Sequence, residues 1–139
     1  SAMANQFVGT WKCIATENLD EYLREVGLSF ELRNLVSNSK PTLTLRIKGE
    51  EWTMDSLYSF THYQETHTTK FKLGEKFGDR TFDGRNVTNM FTLEGDTLLQ
   101  ITAELKGVTS RIARTVNGNT LTSVADCNGI QSKRIYERV

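Results

Sequence analysis

Proline occurs once in this chain, cysteine twice and histidine twice, and seventeen basic residues are matched by seventeen acidic ones. Each shortage excludes something. A chain without net charge and without clustered Lys and Arg lacks the electrostatic footprint of a nucleic-acid binder. No apolar run reaches transmembrane length, and none has the form of a signal-peptide core, so the chain is expected to be cytoplasmic. In that compartment Cys13 and Cys127 read as free, small core residues and not as a disulfide. The sequon Asn86-Val87-Thr88 is then expected to go unused.

Enzymatic signals are equally sparse. His62 and His67 fall in one predicted loop with Glu65, a spacing that arises by chance and does not define a metal site. There is no strand-turn-helix serine elbow, neither cysteine has a histidine at a recognisable spacing, and no cofactor loop is visible. Tyr136 beside Arg134 has no nucleophile on its face. No catalytic residue, metal or cofactor is expected.

What remains is strands. With 139 residues and 37% hydrophobic content, the chain reads as one domain, 1–139, able to bury about two thirds of its surface. Ser1-Ala2-Met3 reads as a cloning remnant ahead of a native Met3. A first strand is predicted over Phe7 to Ile14. Leu19, Tyr22, Leu23 and Val26 then recur at helical spacing, with acids in the first turn and Gly27 as C-cap. Ser29 caps a second short helix through Phe30, Leu32, Leu35 and Val36. From Pro41 onward short strands follow at roughly ten-residue spacing, the pattern of an antiparallel barrel. They cover Thr42–Ile47, Trp52–Phe60, Lys70–Leu73, Phe77–Phe82, Asn86–Leu93 and Leu98–Leu105, with three more at the C-terminus. Ten closed strands would leave a lumen wider than side chains fill.

The last three strands carry the chemistry. Asn128-Gly129 and Asn117-Gly118 each signal a two-residue hairpin turn. Counting outward sets Ser123 against Arg134 and Leu121 against Tyr136, then Arg114 against Leu121 and Ile112 against Ser123. Arg114, Arg134 and Tyr136 thus share one face with Ile112, Val116, Leu121 and Ala125, the apolar inside. Guanidinium stays charged at any ordinary pH, and burying it unpaired would cost several kcal/mol. The inward positions of these strands hold no Asp or Glu, so a ligand carboxylate is the expected counter-ion, ahead of a structural acid.

The ordered set Phe7-Val8-Gly9-Thr10-Trp11-Lys12, Glu17-Asn18-Leu19-Asp20-Glu21-Tyr22, Val26-Gly27, Lys40-Pro41, Phe71-x-Leu73-Gly74-Glu75-x-Phe77, Asp83-Gly84-Arg85 and Arg134-Ile135-Tyr136-Glu137 resembles the intracellular fatty acid-binding protein family. The likeness runs from Gln6 to Val139. It implies a mostly β, ten-stranded antiparallel up-and-down barrel, a clam with a helix-turn-helix lid between strands one and two. It also implies transport of a long-chain fatty acid or related lipid whose carboxylate meets Arg114, Arg134 and Tyr136. The cavity and portal would be formed by Leu19, Leu23, Leu28 and Leu35 of the lid, Phe60 as gate, Phe82, the polar pair Asp83 and Arg85, and Ile112, Leu121 and Ser123. The resemblance implies a monomer found in the cytoplasm and also in the nucleus, with a nuclear receptor as a partner.

Departures from the family pattern are specific. Thr61 to Lys70 is about four residues longer than the usual hairpin, predicting a lengthened loop beside the entrance. Of three basic lid positions tied to nuclear import, two correspond to Arg24 and Arg33 and the third is Asn34. Phe82 replaces a commonly small residue and is expected to shorten or bend the pocket. The lid's acids, Glu17, Asp20, Glu21, Glu25 and Glu31, outnumber Arg24 and Arg33, predicting weak attraction to anionic membranes and at most transient contact. The alternatives are a retinoic acid-type carrier delivering to a nuclear receptor, which shares the arginine pair and tyrosine, and a secreted lipocalin, whose first-strand motif Gly9-Thr10-Trp11 also resembles. A membrane-stacking relative would need a basic surface that this chain lacks.

Overall fold

Polar and apolar side chains alternate over short runs broken by glycine turns, and the computed structural model, which describes residues 2–139, shows ten consecutive antiparallel strands. A four-residue helix, α1 (Ala2–Asn5), precedes β1 (Gly9–Glu17), and the lid helices α2 (Leu19–Val26) and α3 (Phe30–Ser37) follow it. Next come β2 (Thr42–Lys48), β3 (Glu51–Ser59), β4 (Gln64–Lys72), β5 (Phe77–Arg80) and β6 (Asn86–Glu94). The wall ends with β7 (Thr97–Glu104), β8 (Thr109–Asn117), β9 (Thr120–Cys127) and β10 (Ile130–Arg138).

The sheet runs β4-β3-β2-β1-β10-β9-β8-β7-β6-β5, so pairing of β1 with β10 rolls it up and leaves β4 and β5 without a ladder between them. β1 serves two partners by bending. Its register against β10 slips between Cys13↔Tyr136 and Ala15↔Ile135, a bulge at Ile14 that renews pairing as far as Glu17. For that reason the strand ends three residues beyond the predicted Ile14.

The C-terminal turns differ from each other. Asn128 and Gly129 both have positive φ, 53° and 83°, and Cys127 faces Ile130 as predicted. In the other hairpin Asn117 faces Thr120, so the turn residues are Gly118 and Asn119 and only Gly118 has positive φ, 63°. That is the type II′ pattern, which places the one left-handed residue on glycine and spares Asn117 from it. The predicted pairings of Arg114 with Leu121 and Ile112 with Ser123 are therefore corrected: Arg114 faces Ser123, and Ile112 faces Ala125. A shift of two preserves the faces. Its consequence is that Arg114, Ser123 and Arg134 form one row, with Val116, Leu121 and Tyr136 in the next.

That second row meets the closed end of the barrel. Phe7, Trp11, Leu45, Phe91, Leu98 and Leu121 are fully buried there. Leu121, expected in the cavity, is core. Rings from both sides of the gap interlock: Phe71 of β4 stacks on Phe91 of β6 at 3.7 Å between centroids, Trp52 of β3 lies 5.5 Å from Phe71, and Phe77 of β5 lies 6.3 Å from Phe91. Side chains thus close the wall where backbone does not.

The stretch from Gln64 to Thr69, predicted as loop, is strand. β3 and β4 pair without interruption from Glu51↔Lys72 to Ser59↔Gln64, so the additional residues lengthen a hairpin and not a loop. Only His67, Thr69 and Phe71 in β4 are even partly sheltered, which weakens the alternation that sequence reading depends on.

The lid's caps follow the sequence. Gly27, at φ 107°, ends α2 with its N–H on the Leu23 and Arg24 carbonyls, and Ser29 Oγ accepts from Leu32 N at 3.3 Å. Arg33 departs from expectation. It is buried, and it donates from Nε to Asp20 Oδ1 at 2.9 Å and from Nη1 to the Leu28 carbonyl at 2.8 Å, tying α3 to α2. It therefore adds nothing to a basic surface beside Arg24. Losing two charge-assisted bonds is worth about 2 kcal/mol locally. Arg33→Met is expected to speed amide exchange across 19–37 by about thirtyfold while the barrel strands keep their protection; unchanged exchange would show that the lid is held by apolar packing alone.

Candidate functional site

Between the lid and the upper wall lies a cavity of about 280 Å³. Leu19, Leu23 and Leu28 line it from the lid, and Phe82, Asp83 and Arg85 from the β5–β6 connection. Ile112, Arg114, Ser123, Arg134 and Tyr136 line it from the C-terminal strands. Leu35 does not: one position along α3 it is Val36 that reaches the cavity. Phe60 also stands off the cavity wall. It packs instead in an aromatic group at the tip of the long hairpin, 4.8 Å from Tyr63, 6.2 Å from Phe82 and 6.3 Å from Tyr58.

Arg114 and Arg134 occupy the same row two strands apart, about 10 Å between backbones. Among the described residues no carboxylate forms an ion pair with either. Arg114 Nη1 and Arg134 Nε are buried without a hydrogen-bond partner. The Tyr136 phenol stands beside the Arg134 guanidinium and acts on it electrostatically. Burial pulls the Arg114 guanidinium below its ordinary value, with Tyr136, Tyr58 and Tyr22 opposing and Arg134 adding to the shift. For Arg134 burial also acts downward, but Tyr136 and Tyr58 outweigh it and the net direction is up. Burial raises the Tyr136 phenol against the pull of Arg134, which keeps it a neutral hydrogen-bond donor. The site is a set of buried donors with two permanent positive charges.

Residues 8–139 match the Lipocalin / cytosolic fatty-acid binding protein family. The chain belongs to that family. Within it, the human (Homo sapiens) protein named "Fatty acid-binding protein 9" is 36% identical over 137 residues, spanning 99% of this chain and 100% of its own. Among solved structures, Echinococcus granulosus fatty-acid-binding protein 1 is similar with a TM-score of 0.90 at 29% identity, covering 97% of this chain and 98% of that one. A Schistosoma mansoni fatty acid binding protein in complex with arachidonic acid gives 0.89 at 29% identity, covering 100% and 99%. The family description spans lipocalins as well, and the placement of the helices after β1 sides with the fatty-acid-binding branch. Cys13 and Cys127 are both free and buried.

Sequence reasoning located the arginine patch but missed the other polar wall of this family member's cavity. Asn89 on β6 and Gln100 and Thr102 on β7 line it together with Asp79 of β5. The signal was present: Asn89 keeps step with Val87 and Phe91, and Gln100 with Leu98, so polar residues stand at inward positions. The expected pair Asp83 and Arg85 is more than a lining. Arg85 Nε donates to Asp83 Oδ2 at 2.8 Å, Nη1 donates to the Val26 carbonyl at 2.9 Å, and the guanidinium also pairs with Glu104. Burial acts to lower the Arg85 guanidinium, but Asp83 and Glu104 outweigh it and the net direction is up. Arg85 thus latches the C-terminus of α2 to the barrel rim. Of the stretch weighed as a metal site, Glu65 and His67 lie in β4 and His62 in the turn before it; among the described residues no three His, Cys, Asp or Glu stand close enough to hold an ion.

Proposed function

We propose that the protein binds and carries a long-chain fatty acid, or a lipid with the same carboxylate head, with the head against Arg114, Arg134 and Tyr136. One observation carries this: two buried guanidiniums with unpartnered N–H groups in one row of a mostly apolar cavity. Unneutralised burial of such charges is unfavourable, and an anion supplied by the ligand removes the penalty. The relative from Schistosoma mansoni in complex with arachidonic acid supports the same cargo class. Burial of about fifteen methylenes offers about 12 kcal/mol gross. Ordering the chain takes back a large share, leaving micromolar to nanomolar affinity.

The reading is of a carrier and not an enzyme, acting as a monomer in the cytoplasm. With Arg33 turned inward, Arg24 is the exposed cation of α2 and α3 against Asp20, Glu21, Glu25 and Glu31. Delivery through solution or a protein partner fits that surface better than collision with anionic membranes. Mass spectrometry of lipids extracted from the purified protein, followed by calorimetric titration of the species found, tests the cargo. Co-purifying carboxylate lipids that rebind support it; recovery of none, with no heat on titration of long-chain fatty acids, overturns it.

The latch gives a kinetic expectation. Arg85→Gln loses the ion pairs with Glu104 and Asp83 while sparing the arginine patch, so association and dissociation of a fatty acid are expected to quicken together, about three- to tenfold, with little change in Kd. Stopped-flow rates that do not move would place control of the opening elsewhere on the rim.

A further inference from the structure

Asp79 sets the orientation of a whole hydrogen-bond chain. As a carboxylate it only accepts, so Asn89 must present its NH₂ group, and Nδ2 donates to Asp79 Oδ2 at 3.1 Å. That turns Asn89 Oδ1 the other way, where it accepts from the Thr102 hydroxyl at 2.5 Å and from Gln100 Nε2 at 3.1 Å. Gln100 Nε2 spends its second N–H on Thr102 Oγ1 at 3.2 Å. Flipping Gln100 would set two acceptor oxygens against each other, so its amide cannot turn. Its Oε1 is left buried without a partner, on a residue that is 8% exposed and lines the cavity.

The cavity therefore has two unmet demands of opposite kind. At Arg114 and Arg134 donors lack an acceptor; at Gln100 an acceptor lacks a donor. An unmodified acyl chain answers the first and leaves the second open. Gln100 faces Ile112, one strand and one row from Arg114, a backbone separation of about 8 Å. Both demands therefore fall within the span of one extended acyl chain.

We propose that Gln100 selects cargo carrying a hydroxyl part-way along the chain, so that a hydroxylated fatty acid is preferred over its plain or keto counterpart. This rests on the fatty-acid reading and goes beyond it by naming the subsite. The hydroxyl donates to Gln100 Oε1 while the carboxylate meets the arginines. A ketone at the same carbon has the same reach but offers no hydrogen.

The test compares stearate with hydroxystearates stepped along the chain and with the matching ketostearates, by displacement of a fluorescent fatty acid from the intact protein. At one position the hydroxyl form is expected to bind about three- to tenfold tighter than the ketone. Gln100→Leu is expected to bring that ratio to one, read as hydroxyl against keto within the variant whatever its affinity for stearate. Equal affinity of hydroxyl and keto forms at every position overturns the proposal without any mutant, as does a preference that survives in Gln100→Leu. If neither stearate nor any derivative binds, the fatty-acid reading falls first and the subsite with it.

Discussion

Arg134→Leu is expected to weaken binding of a long-chain fatty acid by about ten- to a hundredfold and to leave its methyl ester nearly unaffected. The number follows from the bond type: a hydrogen bond to a charged group is worth about 1.5–3 kcal/mol, and each 1.4 kcal/mol is tenfold. The ester keeps the chain, and with it the burial that drives binding, but has no charge to lose. The same substitution is expected to raise the thermal midpoint of the ligand-free protein by a few degrees. It removes a buried cation whose Nε has no partner and which shares its row with a second cation, Arg114. Calorimetric titration of acid and ester, with thermal melts of both proteins, checks both halves. Equal losses for acid and ester would take the carboxylate role away from Arg134, and a lowered midpoint would show that the charge is satisfied within the fold.

The largest loss of stability is expected from Phe91→Ala, about 3–5 kcal/mol by urea unfolding. Phe91 is fully buried, and its ring stacks on Phe71 of β4 at 3.7 Å and lies nearly parallel to Phe77 of β5 at 6.3 Å. Those are the two strands that no ladder joins. Elsewhere in the wall a truncated ring would leave a cavity that hydrogen-bonded neighbours still hold in place. Here the ring is itself much of what holds the edges together, aided by the Gly74 N–H on the Phe91 carbonyl at 2.8 Å. Phe91→Leu, which keeps most of the volume, is expected to recover more than half of the loss. A cost below about 1 kcal/mol for Phe91→Ala would mean that the gap closes without the stack.

The two predictions concern residues of different legibility. Arg114, Arg134 and Tyr136 could be assigned to one inner face from alternation alone. The hairpin register was misplaced by two, and a two-residue error returns every side chain to the face it left. Leu121 exposes the limit of that argument, since a face says nothing of height, and the correct register drops it into the closed end. Gln64 to Thr69 failed because a two-stranded projection with little to bury has no strong period. Arg33 failed for another reason: its partners, Asp20 and Leu28, lie on and beyond a different helix, and local charge counting treats every helix arginine as solvated. Asn89, Gln100 and Thr102 were visible as polar residues in phase with apolar ones. Recognising them as one network required knowing that β5, β6 and β7 are neighbours with Asp79 at the end of the chain.

The missing ladder between β4 and β5 has a consequence for how this scaffold can vary. A hoop of hydrogen bonds fixes its own circumference, because widening it means adding a strand. A rolled strip whose two margins have no ladder between them, and meet at one end through the rings of Phe71, Phe77 and Phe91, has a girth there that depends on ring size as well as on backbone pairing. The closed end can then take side chains of different bulk by exchanging three rings, with the strand count and every backbone pairing left as they are.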